Sequence, residues 1–456
     1  MTLIKSILLG SAAGLVAVAG AQAADLPTKK AAPAAAYVAI CNVAGVTGFT
    51  IPGSDTCLKI SGGVGVEMIY ANRKDNNVAT WSGVRANRSV TQAVSANNAN
   101  RFGMDGRAWV TLDTATNTAY GPATSEAQLN FGADNAQMAT NYGNGASLDH
   151  AWFKWAGLEG HVADGSLFNI GSNHAPTDGF GSPDIGGAAY LAYVAQFGGG
   201  FSAGLSIEDP IGHRANSPNV LAVAGPPAIP GYAVNAYQGS KYPDVAARIG
   251  VSQGWGGAQL SGIIHNTSLQ ASANPTNFVL NGPYSKMGYG VAAAVQFNVG
   301  STVKFDLSGN YTYGLAKVFS QGVGATGLYQ SGTGNSGGAD YAISDALPLP
   351  NGGYAVPKAW GINAGVSFAA SPQISVTPYA SYGQLTYSAD PVITSQTLKA
   401  WNVGVDATWK PVSSISVDLN VLYTSLTESV PTAAVGNPWN TKASGFLGRL
   451  QVARTF

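Results

Sequence analysis

The sequence predicts an all-β protein: a 16-stranded antiparallel transmembrane β-barrel with short periplasmic turns and long external loops. Three observations carry the prediction. The first is the hairpin Ala400–Thr424. Trp401, Val403, Val405, Ala407 and Trp409 alternate with Asn402, Gly404, Asp406, Thr408 and Lys410, and Ile415, Val417, Leu419, Val421 and Tyr423 alternate with polar residues. A period of two means a strand with one apolar and one polar face, and about 10 residues suffice for a tilted strand to cross a bilayer. The second is composition. Charged residues make up 10% of the 456-residue chain and mean hydropathy is only +0.08. A soluble domain carries roughly 25% charge. After residue 23 no apolar run is long enough for a membrane helix. The third is the alternation of connections. Gly198–Gly200, Gly254–Gly256, Val299–Ser301 and Ala370–Pro372 are tight, whereas Asp209–Pro243, Thr267–Lys286, Leu315–Pro357 and Thr427–Ala443 are long. Such long connections are uncommon in soluble domains but regular in outer-membrane barrels.

Met1–Ala23 reads as a signal peptide. Lys5 supplies the positive start, Ile7–Ala19 the apolar core, and Ala21-Gln22-Ala23 a small-x-small cleavage site. Residues 24–56 follow as a periplasmic linker and disulfide loop, with the barrel at 57–456. Cys41 and Cys57 are the only cysteines. Export to an oxidising compartment predicts that they bridge.

Strands are then placed in order at Cys57–Tyr70, Arg101–Asp113, Ala123–Ala133, Ser147–Gly157, His161–Ile170, Ala188–Phe197, Phe201–Glu208, Asp244–Gln253 and Gly257–Asn266. Met287–Val299, Thr302–Gly314, Lys358–Ala369 and Gln373–Leu385 follow, then the two arms of the hairpin, and Ser444–Phe456 closes the set. An even count puts both termini on the periplasmic side. Phe456, with Val452, Leu450 and Phe446 on its parity, is the terminal signal expected to engage the barrel assembly machinery. Arg454 shares that lipid-facing parity and is expected to snorkel at the rim.

The polar parity marks the lumen wall: Lys59, Glu67, Arg248 and Lys304, together with Arg101, Arg107 and Lys154 on the early strands. A charge on that face needs only water. The grouping of Arg101, Arg107 and Lys154 favours a transverse field across the pore.

Several segments identify the chain as resembling the general porins of alphaproteobacteria of the rhizobial type. They are IPGSDTCLKISGGV (Ile51–Val64), GRAWVTLDTATNTAYG (Gly106–Gly121), HAWFKWAGLEG (His150–Gly160), Ala189–Asp209 and Tyr242–Gly262. The resemblance runs through essentially the whole mature chain. It implies a homotrimer and a third loop folded into the lumen. That loop would be Gly171–Gly187, GSNHAPTDGFGSPDIGG, placing Asp178 and Asp184 opposite Arg101, Arg107 and Lys154 as the constriction.

Other chemistries find little support. Gly63-Val64-Gly65 lacks the helix and third glycine of a phosphate loop. No serine is read as sitting on a strand-to-helix nucleophile elbow. None of His150, His161, His174, His213 and His265 is read as lying in a close pair with a carboxylate, so no metal or cofactor is expected. Net charge is zero, which gives nucleic acid no purchase. The tryptophans fall near strand ends, as interfacial anchors do. The expected function is passive diffusion of ions and small hydrophilic solutes across the outer membrane, with lipid as the surrounding partner and no catalysis. The alternative is a substrate-selective channel or surface receptor on the same barrel.

Overall fold

The computed structural model describes residues 39–75, 102–134, 145–163, 165–170, 180–181, 185, 187–215, 239–269, 284–319, 343, 345–348, 354–387, 396–430 and 439–456. Their strands are β1 (Ile40–Val43), β2 (Val46–Thr50), β3 (Cys57–Asp75), β4 (Phe102–Thr118), β5 (Gly121–Asp134), β6 (Gly145–Trp155), β7 (Leu158–Val162), β8 (Tyr190–Gly198), β9 (Phe201–Glu208) and β10 (Asp244–Gln253). Then come β11 (Gly256–Leu269), β12 (Tyr284–Val299), β13 (Val303–Tyr313), β14 (Leu347–Pro348), β15 (Tyr354–Ala355), β16 (Pro357–Ser371), β17 (Ile374–Tyr387), β18 (Gln396–Val412), β19 (Ile415–Val430) and β20 (Trp439–Thr455). A four-residue helix, α1 (Pro210–His213), follows β9.

Strands β3 to β13 and β16 to β20 pair antiparallel in chain order, and β20 returns to β3 from Thr455↔Gly63 to Ala443↔Asp75. The sheet is a closed 16-stranded barrel, as the sequence predicts. Closure leaves the barrel wall without an open edge, which a bilayer demands. Short turns gather at one end and long connections at the other. At Gly198, Gly199 and Gly200 all three residues take positive φ (79°, 59° and 81°), a run that only glycine tolerates cheaply.

The alternation read from sequence becomes the two faces of the wall. Val64, Val66, Leu205, Ile207, Leu260, Ile264, Val403 and Val421 are exposed on the outer face. An aromatic belt rings its long-loop side: Tyr289–Tyr311, Trp360–Tyr382, Trp401–Tyr423 and Tyr423–Phe446 have ring centroids 6.3, 5.2, 5.4 and 4.7 Å apart. A second belt includes Trp255 with Phe297 at 5.6 Å and Tyr120 with Trp155 at 5.8 Å. Water would not tolerate this much exposed apolar surface; lipid between two aromatic girdles requires it. Arg454 sits opposite Ile415, the first residue of β19, at the short-turn rim.

Two features differ from the sequence reading. Only a linker and a disulfide loop are expected before Cys57, yet β1 and β2 form a hairpin there. β2 pairs with the start of β3 at Phe49↔Leu58 and Thr50↔Cys57. The Cys41–Cys57 disulfide, with Cα atoms 5.7 Å apart, ties that hairpin to the wholly buried start of β3. The fifth barrel strand is expected at His161–Ile170 but is only Leu158–Val162. Positive φ at Ala163 (63°) and Gly165 (82°) turns the chain out of the sheet. Leu167 and Phe168, both buried, belong to a turn and not to a strand.

Candidate functional site in the barrel lumen

Of the segment that leaves the wall after β7, the described residues 165–170, 180–181 and 185 lie against the inside of the barrel. Its root is fixed by Glu208 of β9, whose Oε1 accepts from the Leu167 N–H at 2.9 Å and whose Oε2 accepts from the Ser166 hydroxyl. Next, the Phe168 carbonyl accepts from Ser261 Oγ at 2.7 Å and the Asn169 carbonyl from Gln259 Nε2 at 2.7 Å, both on β11. Asn169 Oδ1 in turn accepts from the Ile185 N–H at 2.9 Å, holding the two limbs of the segment together. Farther along, the Phe180 carbonyl accepts from Asn310 Nδ2 of β13 at 2.8 Å.

Glycines on the inner wall make room for this path. A methyl group on Gly290 of β12 would lie 2.9 Å from the Phe168 ring, one on Gly361 of β16 would lie 1.9 Å from the Phe180 carbonyl, and one on Gly383 of β17 would lie 2.7 Å from Phe180 Cβ. The segment therefore tracks across the inner wall from β8 to β17. Leu167, Phe168, Ile170 and Ile185 pack with Val194, Ala246 and Ile263, while Phe180 packs with Phe319, Leu385 and Leu398. An element lodged against one side of a wide barrel narrows the passage left beside the opposite wall.

That opposite wall is polar and charged. On β3, β4 and β20 the inward row holds Glu67, Asp105, Arg107 and Arg449, with Arg449 Nε 3.7 Å from Glu67 Oε1. The Arg107 guanidinium stands 4.8 Å over the Trp109 ring. Nearby, Asn420 donates to the Tyr379 hydroxyl at 3.0 Å and to Asp406 at 2.5 Å. Glu67, expected on the lumen wall, and Arg107, expected at the constriction, stand together in this row.

The remaining expected site residues scatter. Lys154 is inward but stands by the turn at the short-turn mouth, 3.5 Å from Glu159. The register Ala115↔Thr124↔Lys154 puts it eight positions down the barrel from Arg107, about 26 Å along a strand. The grouping of Arg107 with Lys154 is thus not assembled, because neighbouring strands share charges only when their register agrees. Lys59 pairs with Asp113 at 3.3 Å, likewise near the short-turn end. Arg248 opposes Gly204 and Ser261, and Lys304 opposes Asn298 and Ser367 on the inward parity. Arg101, Asp178 and Asp184 lie outside the described residues. Arg449 was missed, although its odd number in β20, opposite to Leu450 and Val452, marks it for the lumen.

The histidine reading is corrected outright. Each described histidine meets a carboxylate: His150 with Glu126 (2.7 Å) and Asp149 (2.9 Å), His161 with Glu159 (3.8 Å), and His213 and His265 with Asp244 (2.8 and 2.6 Å). Except at His150 and Asp149, which are adjacent in the sequence, these pairs bring together residues on different elements or at alternate positions. Among the described residues, His213, Asp244 and His265 alone are compact enough to be weighed as a metal site, their donor atoms lying within 4.8 Å of one another. Both Nδ1 atoms, however, already contact the same oxygen, Asp244 Oδ2.

Comparison with known proteins agrees with this architecture. The outer membrane channel DcaP of Acinetobacter baumannii has a similar fold, with a TM-score of 0.54 and 16% identity over 90% of this chain and 99% of that one. Porin Omp2b of Brucella suis biovar 1 is 28% identical over 277 residues, 57% of this chain and 65% of the relative. Porin Omp2b of Brucella canis is 29% identical over 275 residues with the same coverage. The chain thus spans 65% of the length of the curated relatives it matches. The profile of the Porin subfamily matches residues 25–445, nearly the whole of the described barrel, and the chain belongs to that family.

Proposed function

We propose that this protein is a water-filled channel for passive diffusion of ions and small hydrophilic solutes across the outer membrane. The observation that carries the reading is the asymmetric lumen: a segment pinned to one inner wall by hydrogen bonds at Glu208, Ser261 and Asn310, facing a charged wall at Glu67, Arg107 and Arg449. Sixteen strands enclose more volume than wall side chains fill. The inward segment sets how much of that volume stays open, and the wall charges set which ions use it. No group in this mechanism needs to react; selection is by width and field. The reading extends to assembly as a homotrimer in the outer membrane, preceded by removal of Met1–Ala23.

The test is planar-bilayer conductance of the purified protein with a salt gradient across the membrane. Stable ohmic steps with a measurable reversal potential are expected; a protein that inserts but passes no current overturns the reading. N-terminal sequencing checks cleavage after Ala23. Cross-linking in native membranes checks the trimer.

A further inference from the structure

A buried hub of five ionisable side chains lies inside the long-loop half of the barrel. His213 of α1 has Nδ1 2.8 Å from Asp244 Oδ2 and Nε2 3.4 Å from Glu208 Oε2. His265 of β11 has Nδ1 2.6 Å from the same Asp244 oxygen and Nε2 3.7 Å from Asp345 Oδ2. The side chains in all four of these contacts have no solvent exposure. Every ring nitrogen therefore faces a carboxylate oxygen, which can only accept. Two imidazoles are thus set among three carboxylates. The carboxylates are also met by donors. Leu167 and Ser166 serve Glu208, the Asn266 N–H serves Asp244, and the Ala215 and Ala316 N–H groups serve Asp345. Of the neighbouring cations, Arg214 donates to Ser240 and Ser268, Lys317 donates to the Gly212 carbonyl, and Lys286 is exposed on β12.

Those donors are the informative part. Leu167 and Ser166 are the root of the inward segment, Ala215 follows α1, and Ala316 and Asp345 belong to the connection between β13 and β16. One chain of contacts, Glu208–His213–Asp244–His265–Asp345, thus runs from the inward segment to two long connections. We propose that this hub is the positioning element of the lumen: it sets where the inward segment stands by locking its root to the connections above it. Glu208, His213, Asp244, His265 and Asp345 are positioning residues that act through residues 166–168, not residues that a solute touches. Breaking one internal link strands a buried charge, and the strain passes along the chain because each member has its next partner inside the hub.

The proposal rests on the channel reading only for its consequence on current. Hydrogen exchange tests the hub itself. The probes are the amides of Leu167, Asn266, Ala215 and Ala316 in detergent-solubilised protein, in the wild type and in His265→Gln and Glu208→Gln variants. Glu208→Gln loses the charge that holds Leu167, and exchange there is expected to quicken about 10-fold or more. His265 makes none of the hydrogen bonds that hold residues 166–168, yet His265→Gln too is expected to quicken exchange at Leu167 and to change single-channel conductance. Adding Asp345→Asn to His265→Gln removes one stranded charge and is expected to restore Leu167 protection. That rescue separates a charge relay from general loosening, and it keeps the test decisive if the single variant folds poorly. Protection lost at Asn266 alone, with Leu167 unchanged, overturns the proposal. So does a divalent metal in the purified protein whose chelation reproduces the variants. A wild type that passes no current sinks the channel reading and leaves the exchange result to decide the hub.

Discussion

Phe180 rests on Gly361 so closely that a methyl group on the glycine would come 1.9 Å from the Phe180 carbonyl oxygen. The two residues belong to the inward segment and to β16, and Asn310 Nδ2 holds the same carbonyl at 2.8 Å. Gly361→Ala leaves β16 able to pair but denies the segment its seat. Overpacking of this kind costs about 1–3 kcal/mol. The expected result is a folded barrel with raised single-channel conductance and faster exchange near residue 180. Wild-type conductance in a folded Gly361→Ala protein would show that the seat does not set the passage.

Selectivity tests the charged wall. Arg107 and Arg449 face the lumen beside Glu67. Arg107→Ala is expected to raise conductance and shift the reversal potential toward cations. Lys154→Ala, paired with Glu159 at the short-turn mouth, is expected to shift it less. Asp178→Asn with Asp184→Asn is proposed to shift it toward anions, since both positions flank buried residues of the inward segment, Phe180 and Ile185. Equal shifts for Arg107→Ala and Lys154→Ala would contradict the level at which each stands.

The disulfide ties an accessory hairpin rather than the barrel. Cys41 and Cys57 close a loop of sequence separation 16, for which chain entropy supplies about 3 kcal/mol. A Cys41→Ser, Cys57→Ser protein is expected to keep its barrel and its resistance to mild heating in detergent, while amides of residues 40–50 lose protection. Loss of the barrel itself would refute this division.

Phe456 closes the ladder. Its N–H donates to the Gly62 carbonyl at 3.0 Å and its carbonyl accepts from the Gly62 N–H at 3.2 Å. Deleting it removes two hydrogen bonds, about 1–3 kcal/mol in all, from a barrel whose every strand is paired on both sides. Refolding in detergent is therefore expected to survive, while the amount reaching the outer membrane in cells falls several-fold. Undiminished membrane levels would count against a signalling role for this residue.

What the sequence by itself determined is the wall. Alternation with period two is a property of neighbouring residues, so strand, face and parity could be read locally for β3, β4, β12 and β16 to β20. The sixteen-strand count followed from it, and the bridge between the only two cysteines followed from export to an oxidising compartment. The fifth strand failed because Ala163 and Gly165 bend the backbone within a stretch whose apolar residues serve a different wall. What only the tertiary structure decided is the lumen. Phe180 meets Asn310 across a sequence separation of 130, as does Ala215 with Asp345, and His213 meets Asp244 across 31. Such contacts depend on inter-strand register and on where long connections settle once the barrel has closed. Parity says that Arg107 and Lys154 both face inward; only register says that eight positions part them. The physical reason is that a strand's face is fixed by its own backbone, whereas its level and its partners are fixed by every other strand in the ring.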